Sequence, residues 1–158
     1  MTHPTVSLIW ERYRLENPDV AEEPPFAFHF CDLREDANEC AELVVQGRKQ
    51  ATAASLKELE LAGLQPAQTG EHFIVTDFDG VAKAIIRTTS VDIRRVGDVD
   101  EEFARAEGEG DLTLHWWREA HRGYYSRVLE GSGTPVDDDL LISCEHFETV
   151  FVLGEDGG

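Results

Sequence analysis

A chain of 158 residues with 32 Asp and Glu against 14 Lys and Arg carries a formal net charge of -18, which excludes a broad electrostatic grip on a phosphate backbone and leaves only local contact with nucleic acid. The length fits one domain, and eight Phe, three Tyr and three Trp supply the large side chains that a core needs and disordered chains lack. Three cysteines, Cys31, Cys40 and Cys144, are odd in number and contain no C-x-x-C pair, which argues against a disulfide framework or a zinc ribbon.

No run approaches the ~18 apolar residues that cross a bilayer, and the N-terminus has neither a basic start nor an apolar signal core. The expectation is a cytoplasmic chain with free thiols and no membrane partner. Only Lys49, Lys57 and Lys83 are lysines; an acidic, lysine-poor surface also arises in salty or high-GC hosts, so charge says little about fold.

In chain order, Ser7 to Glu16 spaces Leu8, Ile9, Trp10, Tyr13 and Leu15 as an amphipathic helix that Asn17-Pro18 stops. After Pro24-Pro25, Phe26 to Phe30 alternates as a short strand, with Asp32 as the cap of a following helix. That helix buries Ala37, Cys40, Ala41, Val44 and Val45 and ends near Gly47. Ala51 to Ala54 is extended, and Ser55-x-x-Glu58 is a capping box opening a short helix closed by Gly63. Two strands, His72 to Val75 and Val81 to Ile86, flank Asp79-Gly80, a two-residue hairpin signal. β-Branched residues continue from Thr88 to Val96, Glu101 to Ala106 forms a short helix ending at Gly108, and Leu112 to Leu129 is the longest helix. Leu140 to Leu153 closes the chain as one or two strands. Strands interrupted by helices without regular β-α-β alternation predict an α+β fold on a mostly antiparallel, curled sheet.

Gly47-Arg48-Lys49-Gln50-Ala51-Thr52 joins a helix end to a strand and presents a cation beside a hydroxyl. A desolvated lysine in such a place can serve as a base or activate the hydroxyl, while an ordinary one only solvates the helix end. The segment lacks the glycines and the Gly-Lys-Ser/Thr order of a phosphate loop. No histidine pair has ligand spacing, and there is no G-x-S-x-G elbow. Trp117, His121 and Tyr124 recur at i, i+4 and i+7, so one helix face offers either a stacking surface for bases or packing for the core.

Gly47 to Thr52, Val81 to Thr89, the acidic glycine segment Phe103 to Asp111 and Trp117-Arg118-Glu119-Ala120-His121, in that order, make the chain from about Ala37 to Phe151 similar to the ASCH family, in its compact bacterial subgroup. The resemblance implies a PUA-like β-barrel whose cleft receives RNA or a pyrimidine nucleoside, in a family of RNA-binding proteins, ribonucleases and amidohydrolases of acylated cytidine. Hydrolytic relatives use a lysine, a threonine and a glutamate, which map onto Lys49, Thr52 and Glu107, with Glu109 as the alternative carboxylate. Ribonuclease-like relatives pair the lysine with a serine, matched here by Ser126, and a tyrosine that helps there is replaced by Leu43. The expected organisation is an accessory helix over residues 1–20, an ASCH domain over 21–153 and a flexible tail over 154–158.

Two functional readings follow. One is a hydrolase with Lys49 as base, Thr52, Glu107 and Ser126 as further catalytic residues, and no cofactor required by the sequence beyond an open question of a divalent metal. The other is a non-catalytic RNA or nucleotide reader that binds through Arg48, Lys49 and rings such as Trp117 or Tyr124, with Glu109 and His121 in the same site. A third use, docking of a partner chain on Trp10 and Tyr13, would make the N-terminal helix an interface.

Overall fold

The computed structural model describes residues 2–154, so the tail expected to be flexible lies, from residue 155 on, outside the described residues. Five helices are interleaved with five strands: α1 Pro4–Glu16, β1 Ala27–Phe28, α2 Arg34–Val45, β2 Ala51–Ser55, α3 Leu56–Leu61, β3 His72–Thr76, β4 Ala82–Arg95, α4 Glu101–Glu107, α5 Leu114–Val128 and β5 Leu141–Val152. The strands form one sheet in the order β1-β3-β4-β5-β2. Every pairing is antiparallel except the short β1–β3 ladder. The α+β class on a curled sheet is therefore observed.

β4 is the spine. Its first half pairs with β3 and its whole length with β5, and irregularities at Ile85/Ile86 and Thr88/Ser90 bend it as bulges do, which lets one strand serve both halves of the sheet. Strand alternation divides the core between the two faces. Ile74, Ala82 and Ile85 pack under α1 with Val6, Ile9, Trp10 and Tyr13, while Val75, Ala84 and Ile86 pack under α2 with Phe30, Cys40 and Val44. A third cluster joins Phe103, Trp117, Tyr125 and Leu129 to Ile142 and Ala51. Trp10 and Tyr13 are 3 % and 7 % exposed and seal this chain's own sheet, which removes them as an interface for a partner.

Local signals behave as their chemistry dictates, with three corrections. The strand expected over Phe26 to Phe30 shortens to Ala27–Phe28, because the chain turns at Cys31, which has φ +64. Asp32 does not cap α2; Leu33 occupies that position without a side-chain bond, and Asp32 instead accepts two hydrogen bonds from Arg127 at 2.8 and 3.0 Å. The β3–β4 hairpin forms, but Asp77 N–H bonds Val81 O and Gly80 N–H bonds Asp77 O, so Phe78-Asp79-Gly80 is a three-residue connection with the glycine at φ +88. The Ser55–Glu58 capping box is present in both directions.

Candidate active site

α2 ends at Gly47, where φ is +74, and the chain reverses into β2. Lys49 is clamped in that turn: its N–H bonds Leu43 O at 3.1 Å, and the next residue's N–H bonds Ala106 O in α4 at 2.7 Å. The side chain thus enters the protein, where it is 1 % exposed. Its ammonium donates to Glu109 Oε2 at 2.7 Å and to Glu107 O at 3.4 Å, stands 3.8 Å from Glu107 Oε1 and lies 5.1 Å from the centre of the Phe30 ring.

Glu107, also 1 % exposed, gathers two donors on one oxygen. Its Oε2 accepts from Trp117 Nε1 at 2.8 Å and from His121 Nε2 at 3.0 Å. His121 Nδ1 lies 2.9 Å from Trp117 O, a pure acceptor. Both ring nitrogens thus face acceptors, an arrangement that an imidazolium satisfies. Burial pushes the His121 pKa down, but the Glu107 carboxylate outweighs it and raises it. Burial likewise pushes Glu107 up, but Lys49 and His121 outweigh it and hold the carboxyl below its usual range. For Lys49, burial works downward while Glu107 and Glu109 win, so its pKa is raised. Lys49 and His121 thus face the two carboxylates across a largely buried site.

The two carboxylates beside it favour the ammonium form of Lys49, in which the side chain is a donor. Both carboxylates offered for it reach it: Glu109 holds it directly, and Glu107 links it to His121 and Trp117.

The ammonium lies in the wall of a cleft of about 1230 Å3 shared by Thr52, Glu107, Glu109, His121 and Tyr124. Tyr124 OH donates to Glu58 Oε2 at 2.9 Å. Phe26, Phe28, Phe30, Phe73 and Trp116 give it aromatic walls. The remaining expected residues lie elsewhere. Trp117 is not a stacking platform, because its ring is 1 % exposed and stacked on His121 at 4.0 Å; its neighbour Trp116 reaches the cleft. Ser126 is exposed and outside the cleft lining, since it follows Tyr125, which points into the core, by a ~100° step around the helix. Arg48 is exposed on the turn and outside the lining, while Arg127 lines the cleft.

Glu145 is a further carboxylate of the site that no sequence motif marks. It is the β5 residue opposite Thr52 in the β2–β5 register, which sets Cβ atoms about 5 Å apart on one face, and both line the cleft. Burial raises its carboxyl pKa, although Ser143 Oγ donates to it at 3.0 Å. The signal was absent because antiparallel register, not spacing, makes the pair.

Gly108 lets α4 approach this site. It has φ +72, and a Cβ there would meet the Arg48 carbonyl and stand 3.1 Å from Lys49 Cα. Gly108→Ala is expected to cost about 3 kcal/mol from left-handed strain plus overpacking, read as a lowered urea midpoint at unchanged m.

Comparison with known proteins agrees with this architecture. A family model described as the ASCH domain matches residues 26–151. No curated protein matches the sequence. Among solved structures, an ASCH domain from Lactobacillus crispatus JV V101 is 34 % identical with a TM-score of 0.84, over 95 % of this chain and 96 % of that one. A protein of Enterococcus faecalis V583 is 33 % identical with a TM-score of 0.85, over 96 % of this chain and 91 % of that one.

Proposed function

Taking as premise that the chain belongs to the ASCH domain family, we propose that it hydrolyses a small acylated pyrimidine nucleoside of the N4-acylcytidine type, with Lys49, Thr52 and Glu145 around the reacting carbonyl. The observation that carries this reading is the Lys49 ammonium, buried between Glu107 and Glu109 in the wall of a cleft that Thr52 also lines. A charged donor held in place by buried partners before substrate arrives is what stabilises a developing oxyanion.

The cleft's charge favours a neutral ligand over RNA. Among the described residues that line it, Asp36, Glu39, Glu58, Glu71, Glu119 and Glu145 join Glu107 and Glu109, against Lys49 and Arg127. A phosphate backbone is repelled there, whereas a base meets aromatic walls. The ribonuclease variant also loses its serine, since Ser126 faces solvent.

In the reaction, Glu145 takes the Thr52 hydroxyl proton as Oγ bonds to the acyl carbon, and the carbonyl oxygen becomes an oxyanion beside Lys49. The carbon–nitrogen bond breaks, and Glu145 returns the proton to the leaving exocyclic nitrogen. Water then attacks the Thr52 ester with Glu145 again as base. The acid leaves, Thr52 regains its proton, and Lys49 stays protonated throughout. Glu107 and His121 keep Lys49 in place. Glu145→Gln is expected to lower kcat about 100-fold, the scale of a lost general base, with little change in KM. An unchanged kcat removes Glu145 from the mechanism.

Titration at two salt concentrations tests the substrate class. The nucleoside is expected to bind with an affinity that salt leaves unchanged. Single-stranded RNA that binds more tightly, with a steep salt dependence, overturns the reading in favour of an RNA site.

A further inference from the structure

We propose that Cys31, Cys40 and Glu109 form a binding site for a zinc-class divalent cation in the wall of the cleft. The ligands come from three places: the turn after β1, the buried face of α2 and the loop after α4. Cys31 Sγ and Cys40 Sγ are 3.8 Å apart, Cys40 Sγ is 3.2 Å from Glu109 Oε1, and all three ligand atoms lie within 4.8 Å of one another. A tetrahedral ion with Zn–S of about 2.3 Å and Zn–O of about 2.0 Å sets its sulfurs about 3.8 Å apart and a sulfur and an oxygen about 3.5 Å apart. The side chains thus stand close to ligating distance, and small rotations complete the set.

Two features beyond spacing support an ion rather than a thiol–carboxylate hydrogen-bond chain alone. Glu109 divides its oxygens: Oε2 is held by Lys49 at 2.7 Å, so Oε1 is oriented toward the thiols, in the way an outer partner orients a ligating carboxylate. Charge also closes. Two thiolates and a carboxylate exceed a dication by one negative charge, and the Lys49 ammonium supplies the opposite one. On binding, both thiol protons leave to solvent. Two sulfurs select a soft or borderline ion over Mg2+ or Ca2+. All three ligands line the cleft, which leaves the fourth position for water or a ligand atom. The pair was invisible in the sequence because nine positions separate the cysteines and their carboxylate partner comes from another element. The site stands whether or not the hydrolase reading does.

Titration of the reduced full-length protein with Co2+ tests this. One Co2+ per chain is expected, with thiolate-to-cobalt charge-transfer absorption and the strong visible bands of four-coordination, bleached by Zn2+. Cys144→Ser is expected to keep the spectrum. Cys31→Ser, at a half-buried position, and Glu109→Gln are expected to weaken binding more than about 100-fold, beyond the cost of losing an outer-shell partner. Circular dichroism checks that each variant is folded. Absence of the charge-transfer band in the reduced wild type, or its survival in a folded variant lacking both Cys31 and Cys40, overturns the site.

Discussion

Lys49→Met is expected to lower kcat about 1000-fold and to destabilise the fold by about 3 kcal/mol. The kinetic loss follows from removing the one buried lysine that lines the cleft among the described residues, at the upper end of what one oxyanion donor contributes. The stability loss follows from stranding carboxylates: Glu109 loses a 2.7 Å partner and Glu107 one at 3.8 Å. Breaking a buried ion pair from one side costs about 3–5 kcal/mol. The lower figure applies because Glu107 keeps Trp117 and His121, and Glu109 is 17 % exposed. Urea midpoints at unchanged m measure the second effect, and kcat at saturating nucleoside measures the first. A variant as stable as wild type would show that Lys49 is not paired in the interior.

Glu107→Ala is expected to be worse for the fold, by about 5 kcal/mol. It removes the acceptor of Trp117 Nε1 and His121 Nε2 and one of two carboxylates facing Lys49. Each buried donor left without a partner costs about 1–3 kcal/mol, and the truncated side chain leaves a cavity beside Trp117. Glu107→Gln keeps the volume and a carbonyl oxygen able to accept from both Trp117 and His121, and loses only the charge facing Lys49, so roughly half that loss is expected. Equal, small losses in both variants would mean that water replaces the carboxylate.

Much of this fold was legible because its signals are local. Gly47 and Gly108 stop helices by adopting positive φ, and the Ser55–Glu58 box needs only residues three apart. Lys49 and Thr52 were legible for the same reason, since one turn presents both. Long-range pairing was not. Nothing within the segment tells Glu107 from Glu109, and in the fold both reach one ammonium. The spacing of Trp117, His121 and Tyr124 does not say which side of the helix meets core and which meets cleft: Trp117 is buried, while His121, Tyr124 and the neighbouring Trp116 line the cleft. Glu145 and the Cys31–Cys40 contact depend on register and on a turn at Cys31, neither of which residue types encode.

The central claim is chemistry at Lys49 and Thr52, and the most direct measurement is cytidine released from N4-acetylcytidine by the wild-type protein and by Thr52→Val, which keeps the shape and removes the hydroxyl. The account predicts turnover by the wild type and none above background by the variant, with both folded and both binding the nucleoside. A folded wild-type protein that binds N4-acetylcytidine yet releases no cytidine contradicts it and makes the cleft a reader of nucleosides rather than an enzyme.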